Sequence, residues 1–279
     1  MQVLVTGARG QLGRDLCQAL PAAIGLGRDE LAVDDRVAVR QTVSQIRPDI
    51  VFNCAADNAV DGAEREPERA FAVNGAGPEH LAVACRAVGA RLVHFSTNYV
   101  FDGGAADPYT EKDEPRPQSA YARSKLEGER RVVDALPTAL VIRASGLFGL
   151  DGSAVKGGSF PERILAKARA GEPLAVIHDQ RLNPTFTRDL AAGTLELVEA
   201  GTEGLVHLVA ADCCSWWELA GEAVRLAGLD VEVRQLTSDA FPGAAARPRN
   251  GCLRSVRAPF LRSWREGLAD YVAELGARR

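Results

Sequence analysis

The chain opens with Met1-Gln2-Val3-Leu4-Val5-Thr6-Gly7-Ala8-Arg9-Gly10-Gln11-Leu12-Gly13. Residues 2–6 form a short apolar run, and residues 12–20 have helical periodicity, so the glycines lie between a predicted strand and a predicted helix. Such a turn presents backbone N–H groups to a pyrophosphate at the helix N-terminus, where a Cβ atom would obstruct the approach. The alternative is an ordinary strand-to-helix turn, but this context favours dinucleotide binding. The predicted cofactor contacts here are Gly7, Arg9, Gly10, Gln11, Leu12 and Gly13.

Strand and helix patterns continue to alternate through the first half of the chain. Apolar runs predict further strands at residues 24–26, 49–53, 91–96 and 140–144, and helical patterns separate them. This alternation predicts an α/β fold, a Rossmann-like doubly wound parallel sheet. After Arg143 the pattern loosens, with a glycine-rich stretch at residues 146–159 that is interpreted as a loop. We therefore expect a smaller, interleaved C-terminal substrate domain. The predicted division assigns residues 1–145 to an NADP-binding Rossmann domain to which 186–210 return, and 146–185 and 211–279 to the substrate-binding portion.

Composition excludes several classes of protein. The 33 basic and 37 acidic residues give a net charge of −4, which argues against a nucleic-acid partner. No apolar run approaches the roughly 20 residues that span a bilayer, so no membrane association is expected. The beginning of the chain lacks a signal-peptide pattern, and we expect a cytoplasmic protein. The four histidines and six cysteines show no metal-ligand spacing, so no metal ligands are predicted, and most of the cysteines are interpreted as buried thiols.

The residue that reads the adenine ribose is expected at the end of the second strand. The stretch there is Gly25-Leu26-Gly27-Arg28-Asp29. A basic residue at this place accommodates the 2′-phosphate of NADP, whereas an acid favours NAD. Arg28 therefore favours NADPH, and the adjacent Asp29 leaves NADH open.

Tyr121 and Lys125 stand four residues apart on a predicted helix, so their side chains lie on one face. An ammonium group beside a phenol stabilises the phenolate and lowers the tyrosine pKa, and such a pair can transfer a proton near neutral pH. Thr97 follows the fourth predicted strand, at the sheet edge where ligands bind, and its hydroxyl is expected to meet a substrate carbonyl beside Tyr121. The three side chains are the predicted catalytic set.

Together these residues resemble the dTDP-4-dehydrorhamnose reductase family of the extended short-chain dehydrogenase/reductase superfamily. The resemblance runs nearly end to end. The stretches that carry it, in chain order, are Thr6-Gly7-Ala8-Arg9-Gly10-Gln11-Leu12-Gly13, Asn53-Cys54-Ala55-Ala56, Ala59-Val60-Asp61, Ser96-Thr97-Asn98-Tyr99-Val100-Phe101, Tyr121 with Lys125, Asp179-Gln180-Arg181, Asn183-Pro184-Thr185 and Arg247-Pro248-Arg249-Asn250.

The resemblance implies reduction of the 4-keto group of a dTDP-4-keto-6-deoxysugar by NADPH, as in dTDP-L-rhamnose synthesis. In this interpretation Tyr121 protonates the forming alkoxide, Lys125 lowers its pKa and holds the nicotinamide ribose, and Thr97 orients the carbonyl. The implied additional cofactor contacts are Ala55, Ala56, Asp57, Tyr121 and Lys125. The implied contacts with the nucleotide-sugar substrate are Thr97, Asn98, Tyr99, Arg247 and Asn250.

Three positions depart from the family pattern. Asn98 stands where the family usually has aspartate, which removes a charge next to the sugar. Gly146 stands where the family usually has tryptophan, so an aromatic wall of the sugar pocket is expected to be missing. Ala32-Val33 replaces an acidic and apolar pair near the adenine. The departures favour a related sugar as an alternative substrate.

Other functions remain open on the same scaffold. A 4-ketoreductase for a different sugar nucleotide is the nearest alternative. An epimerase or dehydratase would retain NAD and recycle it, whereas a reductase releases its oxidised cofactor. A non-catalytic NADP-binding regulatory subunit, like that of methionine adenosyltransferase, belongs to the same branch. The resemblance also leaves open a homodimer and an interface Mg²⁺ ion, and no spacing in the sequence places either one.

Overall fold

The structure, a computed structural model, describes residues 1–150 and 157–278, and its centre is a parallel sheet of six strands. The strands lie in the order β10-β5-β4-β3-β1-β2. Their bounds are β1 Val3–Thr6, β2 Ile24–Leu26, β3 Ile50–Asn53, β4 Arg91–Thr97, β5 Leu140–Ala144 and β10 Gly204–His207. The predicted Rossmann-like doubly wound sheet is confirmed. All pairs run parallel, so the carboxyl ends of the strands meet at one edge.

Helices cover both faces of this sheet, and α7, α9 and α10 pack in the later part of the chain. The α-helices of the described residues are α1 Gln11–Ala19, α2 Arg36–Ile46, α3 Val60–Arg65, α4 Pro67–Phe71, α5 Gly77–Val88, α6 Ala120–Ala135, α7 Phe160–Arg169, α8 Thr187–Glu199, α9 Trp216–Leu226 and α10 Trp264–Ala277. Leu16 of α1 and Leu190 of α8 pack on one face with Phe52, whereas Val43 of α2 and Leu81 of α5 pack on the other. The inner strands are buried on both faces, which explains their continuous apolar runs.

The later part of the chain forms four two-stranded pairs and its own apolar core. The strands are β6 Leu147–Phe148, β7 Leu174–Ile177, β8 Arg181–Leu182, β9 Thr185–Phe186, β11 Ala210–Ala211, β12 Cys214–Ser215, β13 Val233–Leu236 and β14 Leu261–Ser263. They pair as β6 with β9, β7 with β13, β8 with β12 and β11 with β14. Phe148, Trp264 and Tyr271 centre the core. Because β10 lies between these pieces in sequence but joins the central sheet, the smaller portion is interleaved with it. The exact domain boundaries stay a prediction.

The glycine-rich stretch at residues 146–159 differs in part from the predicted loop. Residues 151–156 of that loop lie outside the described residues. Before them, Leu147 and Phe148 form β6, whose partner β9 lies far away in sequence. A two-residue strand held by a distant partner leaves no periodicity in the sequence, which is why the pattern did not reveal it.

Helices α4 and α5 are joined without a break in the helical backbone. Helix α4 runs through a π-helical turn, Ala72–Ala76, into α5. The wider turn carries Asn74, whose side chain is fully buried. Polar Asn74 and Gly75 interrupt the apolar pattern although the backbone remains helical.

Two cysteines are paired in the described structure. Cys213 and Cys252 form a disulfide with a Cα–Cα distance of 6.0 Å, whereas Cys17, Cys54, Cys85 and Cys214 are free thiols. The pairing, across 39 residues of sequence, was not predicted. No helix within the described residues is long and apolar enough to span a bilayer, and no cluster of three or more potential metal-binding side chains lies among them.

Candidate active site

The glycine turn after β1 packs with no room for side chains. Gly7 has a φ of 65°, and a Cβ there would lie 2.6 Å from the Ala55 backbone nitrogen. A Cβ at Gly13 would lie 2.4 Å from the Gly7 carbonyl oxygen, so this glycine lets α1 approach the turn. Both positions therefore require glycine for backbone packing. The Gly10 N–H is bonded to the Gly7 carbonyl at 2.9 Å, which closes the turn.

Helix α1 begins at Gln11, with Gly10 as its N-cap. Within the part of the chain that the structure describes, no side chain caps this helix end. Leu12 is buried under the turn, and Gln11 is half-buried at its rim. A glycine cradle at an uncapped helix N-terminus fits the pyrophosphate of a dinucleotide, because the first N–H groups of the helix lack internal partners.

The Arg9 side chain extends from the turn after β1 to the end of β2, where it meets the acidic residues that follow that strand. Its guanidinium lies 3.1 Å from an Asp29 oxygen and 3.3 Å from a Glu30 oxygen. Arg28 is exposed beside them. The positive charge available to a phosphate on the adenine ribose thus comes from Arg9 and Arg28. Of these two, Arg9 is already paired with carboxylates. The cofactor role of Arg28 stays a prediction.

The segment after β3 passes close to the glycine turn. Cys54 and Ala55 bring their backbone there, and the Ala55 N–H donates to the Asn53 side chain at 3.2 Å. The predicted cofactor contact of Ala56 stays a prediction. Asn74 fixes the next residue, because it accepts from the Asp57 N–H at 2.8 Å and donates to the Asp57 carbonyl at 3.0 Å. The Asp57 carboxylate turns toward Arg69 at 3.2 Å. This segment presents mainly backbone groups toward the predicted cofactor site.

The three predicted catalytic side chains meet at the carboxyl edge of the sheet. Thr97 ends β4, and α6 carries Tyr121 and Lys125 one turn apart. Ser119 caps that helix by accepting from the Ala122 N–H at 3.2 Å. The three side chains are all buried. The sequence folds this way because a capped amphipathic helix packs against the end of an apolar strand.

Tyr121 is buried among polar neighbours. Its hydroxyl lies 3.4 Å from the Asn58 side-chain oxygen, and it interacts with the Thr97 hydroxyl. The Tyr99 ring packs edge-on against its ring, 5.8 Å between centroids. Burial raises the pKa of the Tyr121 phenol, with smaller contributions from Tyr99 and Asp57. The net direction of this pKa is therefore upward, opposite to the lowering expected from Lys125, and the phenol is a weaker acid than a free tyrosine.

Lys125 points under the sheet edge. Its Nζ donates to the Phe95 carbonyl at 2.6 Å. Burial lowers the pKa of Lys125 to about 8, and Glu129 opposes this change. The Lys125 side chain is thus mostly protonated at neutral pH, although its pKa lies only slightly above that pH.

A groove of about 900 Å³ extends from Tyr99 between the two parts of the chain. Phe160 and Trp216 form an aromatic wall in it, with ring centroids 4.6 Å apart. The cations that line it are Arg163, Lys167, Arg247 and Arg249. Aromatic surface and several cations together suit a ligand that carries a ring and a diphosphate.

Gly146 and Asn98 have clear structural uses. Gly146 has a φ of 57°, and a Cβ there would lie 2.4 Å from Leu182, so the tryptophan usual in the family does not fit this backbone. Asn98 donates through Nδ2 to the Gly251 carbonyl at 2.9 Å. An aspartate is unable to donate this bond. Position 146 thus carries no aromatic side chain, and the aromatic surface of the groove comes from Phe160 and Trp216, in another part of the chain.

Arg247 and Asn250 belong to segment 247–253, which borders the groove. Arg247 lines the groove, forms a two-point ion pair with Asp61 at 2.8 and 3.0 Å, and bonds the Tyr99 hydroxyl. The Asn250 side chain instead donates to the carbonyls of residues 105–107. Asn250 thus anchors the segment. It is not one of the groove-lining residues that the structure describes, so its predicted contact with substrate stays a prediction.

Several residues around the site were not singled out from the sequence. No local periodicity or motif spacing marks three of them: Asn58 beside the Tyr121 phenol, Asn74 next to Asp57, and Asn183. Asn183 accepts from the Leu253 N–H at 2.8 Å and donates to the Ala210 carbonyl at 3.1 Å. Asn183 lies in a stretch that carries the family resemblance, and this was the one available signal. Each of these side chains acts through contacts far away in the sequence.

Comparisons with known proteins agree with this geometry. The chain is 40% identical over 291 residues to a dTDP-4-dehydrorhamnose reductase of Streptomyces griseus, covering 99% of this chain and 94% of the relative. It is 39% identical over 287 residues to a probable dTDP-4,6-dihydroxy-2-methyloxan-3-one 4-ketoreductase of Streptomyces antibioticus, covering 99% and 96%. A crystal structure of dTDP-4-dehydrorhamnose reductase from Bacillus anthracis in complex with NADP has a TM-score of 0.93 at 32% identity, covering 98% and 99%. The model of the RmlD substrate binding domain family matches residues 1–277, and the chain belongs to that family.

Proposed function

We propose that this protein reduces the 4-keto group of a dTDP-4-keto-6-deoxysugar with NADPH, as a dTDP-4-dehydrorhamnose reductase does. The observation that carries the proposal is the burial of Thr97, Tyr121 and Lys125 at the carboxyl edge of the sheet, where the Tyr121 ring packs against Tyr99 of the groove. The reductases of Streptomyces griseus and Bacillus anthracis, the latter with NADP, support it. We also propose that the protein works in the cytoplasm, where the reduced cofactor and nucleotide sugars are available.

The predicted roles follow from the chemistry of each side chain. The Gly7–Gly13 turn would hold NADPH, which would supply a hydride to the carbonyl carbon. Tyr121 gives its phenolic proton to the carbonyl oxygen, which becomes the hydroxyl. Thr97 donates a hydrogen bond to the same oxygen as negative charge develops. Lys125 contributes a positive charge below the reacting groups.

The nucleotide portion of the substrate is assigned to the groove. Phe160 and Trp216 offer ring faces to the base or sugar, and the groove-lining arginines suit the diphosphate. Arg247 is already paired with Asp61, so Arg249 is the cation in segment 247–253 that we assign to the phosphates. The predicted contacts of Asn98 and Tyr99 are assigned to the sugar end, next to Tyr121.

A 4-ketoreductase for a different sugar nucleotide is the second candidate function. Two observations favour it: the 39% identity to the probable 4-ketoreductase of Streptomyces antibioticus, and Gly146, which excludes the tryptophan usual in the family. The two candidates share the catalytic residues and differ in the sugar that the groove accepts.

The test is NADPH oxidation with dTDP-4-dehydrorhamnose, followed by the loss of NADPH absorbance. Tyr121→Phe is expected to lower kcat by about 10²–10⁴-fold, because the proton donor is lost. Tyr109→Phe is the matched control, since its hydroxyl bonds Asp102 outside the groove-lining set. Turnover of other dTDP-4-keto-6-deoxysugars alone would select the second candidate. NADPH binding without turnover of any keto sugar would contradict both and favour a regulatory subunit.

A further inference from the structure

A buried ion pair lies one helical turn beyond Lys125. Glu129 of α6 accepts from Arg143 of β5 at two points, with Nε to Oε1 at 2.9 Å and Nη2 to Oε2 at 2.6 Å. Their side chains are only 7% and 3% exposed. Burying such a pair removes two charges from water, so it is weak evidence for a contribution to stability alone. Its location suggests a use in the reaction.

The Glu129 carboxylate touches both elements that carry the catalytic side chains. It lies on the same face of α6 as Lys125, four residues along. It also accepts from the Ser96 hydroxyl, and Ser96 directly precedes Thr97 in β4. Lys125 in turn donates to the Phe95 carbonyl of that strand. A single carboxylate is therefore fixed between the helix and the strand of the site.

Titratable side chains from every neighbouring element face the region around Lys125 and Glu129. Cys54 after β3, His94 in β4 and His207 in β10 are all held neutral, because burial raises the pKa of the thiol and lowers those of the imidazoles, to about 4 for His207. Asp57 faces Tyr121, and Glu111 faces His207. Glu129 remains as the carboxylate that favours the charged form of Lys125.

Arg143 weakens the electrostatic attraction between Glu129 and Lys125. Its guanidinium takes both carboxylate oxygens, packs over the Phe101 ring at 5.1 Å and lies 3.5 Å from His207. A carboxylate neutralised in this way attracts a second cation less than a free one does. The strength of the attraction between Glu129 and Lys125 is thus set by a third residue on another strand.

We propose that Glu129 is a positioning residue for the reduction, which holds Lys125 in its ammonium form, and that Arg143 tempers this influence while fixing the carboxylate. The inference rests on the proposed function for its meaning in catalysis. The effect on the charge of Lys125 is independent of any substrate. An ordinary structural ion pair would leave that charge unchanged when it is broken.

The test measures the titration of Lys125 directly. The chain has four lysines, 112, 125, 156 and 167, so NMR of protein labelled with ¹³C at the lysine Cε gives few signals, and Lys125→Arg assigns the one of interest. In the wild type we expect a midpoint at pH about 8. In Glu129→Gln the midpoint is expected to fall by about one pH unit, a tenfold change in the ionisation constant. In Arg143→Met it is expected to rise.

Three further variants keep the test decisive. Ser96→Ala removes a hydrogen bond to Glu129 without changing a charge, and its Lys125 midpoint is expected to stay at the wild-type value. Glu129→Asp keeps the charge and is expected to restore most of the midpoint. Glu129→Gln combined with Arg143→Met removes both charges if a single variant fails to fold, and it is expected to titrate below the wild type.

Opposite displacements in Glu129→Gln and Arg143→Met support the inference, whereas an unchanged midpoint in folded Glu129→Gln overturns it. With active enzyme, the alkaline fall of kcat/KM is expected to move with the NMR midpoint in each variant. A shifted NMR midpoint in a protein without reductase activity would retain the role of Glu129 toward Lys125 and reject the proposed function.

Discussion

The proposed catalytic floor, Thr97 with Tyr121 and Lys125, and the neighbouring segment 247–253 are held in place by different contacts. The floor stands on regular structure: β4 is hydrogen-bonded on both sides within the central sheet, and α6 is capped and packed on it. Segment 247–253 has little regular structure. It is held by isolated backbone hydrogen bonds to Gly103, Tyr109 and Arg181 and by the Cys213–Cys252 disulfide. The side chains of Asn98, Asn183 and Asn250 add further hydrogen bonds to its backbone or its neighbours. The difference teaches that the proposed catalytic side chains are placed by continuous backbone ladders, whereas the groove wall is placed by separate contacts from several elements.

The largest effect is expected in the floor. Thr97→Val keeps the shape of the side chain but removes the hydroxyl beside Tyr121, and kcat is expected to fall about 100-fold. The free energy of unfolding is expected to fall by only about 1 kcal/mol, since the Tyr99 N–H loses its acceptor. Steady-state kinetics and urea unfolding measure the two. Thr194→Val, which removes a buried hydroxyl from α8, is the matched control. Equal losses of kcat in both variants would contradict the assignment of Thr97.

A middle-sized effect is expected where the floor meets the wall. Asn98→Asp replaces the donor to the Gly251 carbonyl with a group that repels it, at a cost of about 1–3 kcal/mol in stability. Because segment 247–253 borders the groove, KM for the sugar nucleotide is expected to rise about tenfold while KM for NADPH changes little. Asn98→Ala, which lacks the repulsion, should fall between the variant and the wild type. A fall in kcat without a change in either KM would place Asn98 with the floor.

The smallest effect is expected at the rim of the groove. The Arg247 guanidinium beside Asp61 lowers the pKa of that carboxyl below its usual range. The contribution to stability is therefore present above about pH 4 and is lost as the pH falls through the lowered pKa. Asp61 is 52% exposed, so Asp61→Asn is expected to cost less than about 1 kcal/mol at pH 7. Urea unfolding should show the wild type and the variant converging near pH 3, and a constant difference would refute this.

The same contrast explains how much could be predicted from the sequence. The central sheet, its glycine turn and the Tyr121–Lys125 face were predictable because each depends on local periodicity and spacing. Asn183 and the Glu129–Arg143 pair were not, because each acts on partners in another element and follows no repeating pattern. Asn98 was noticed as a departure from the family, but its bond to Gly251, 153 residues away, was beyond any local signal.

The position of β10 at the edge of the central sheet has a consequence for synthesis on the ribosome. Strand β5 pairs with β4 early, yet its other edge is covered by β10, which follows about 60 residues later. At the usual ~5–20 residues per second, that edge waits on the order of 3 to 12 seconds with open hydrogen-bonding groups. An unpaired, apolar strand edge invites pairing with another nascent chain. Chaperone dependence and loss to aggregation should therefore respond most to changes in β5 and β10 rather than in the smaller strand pairs.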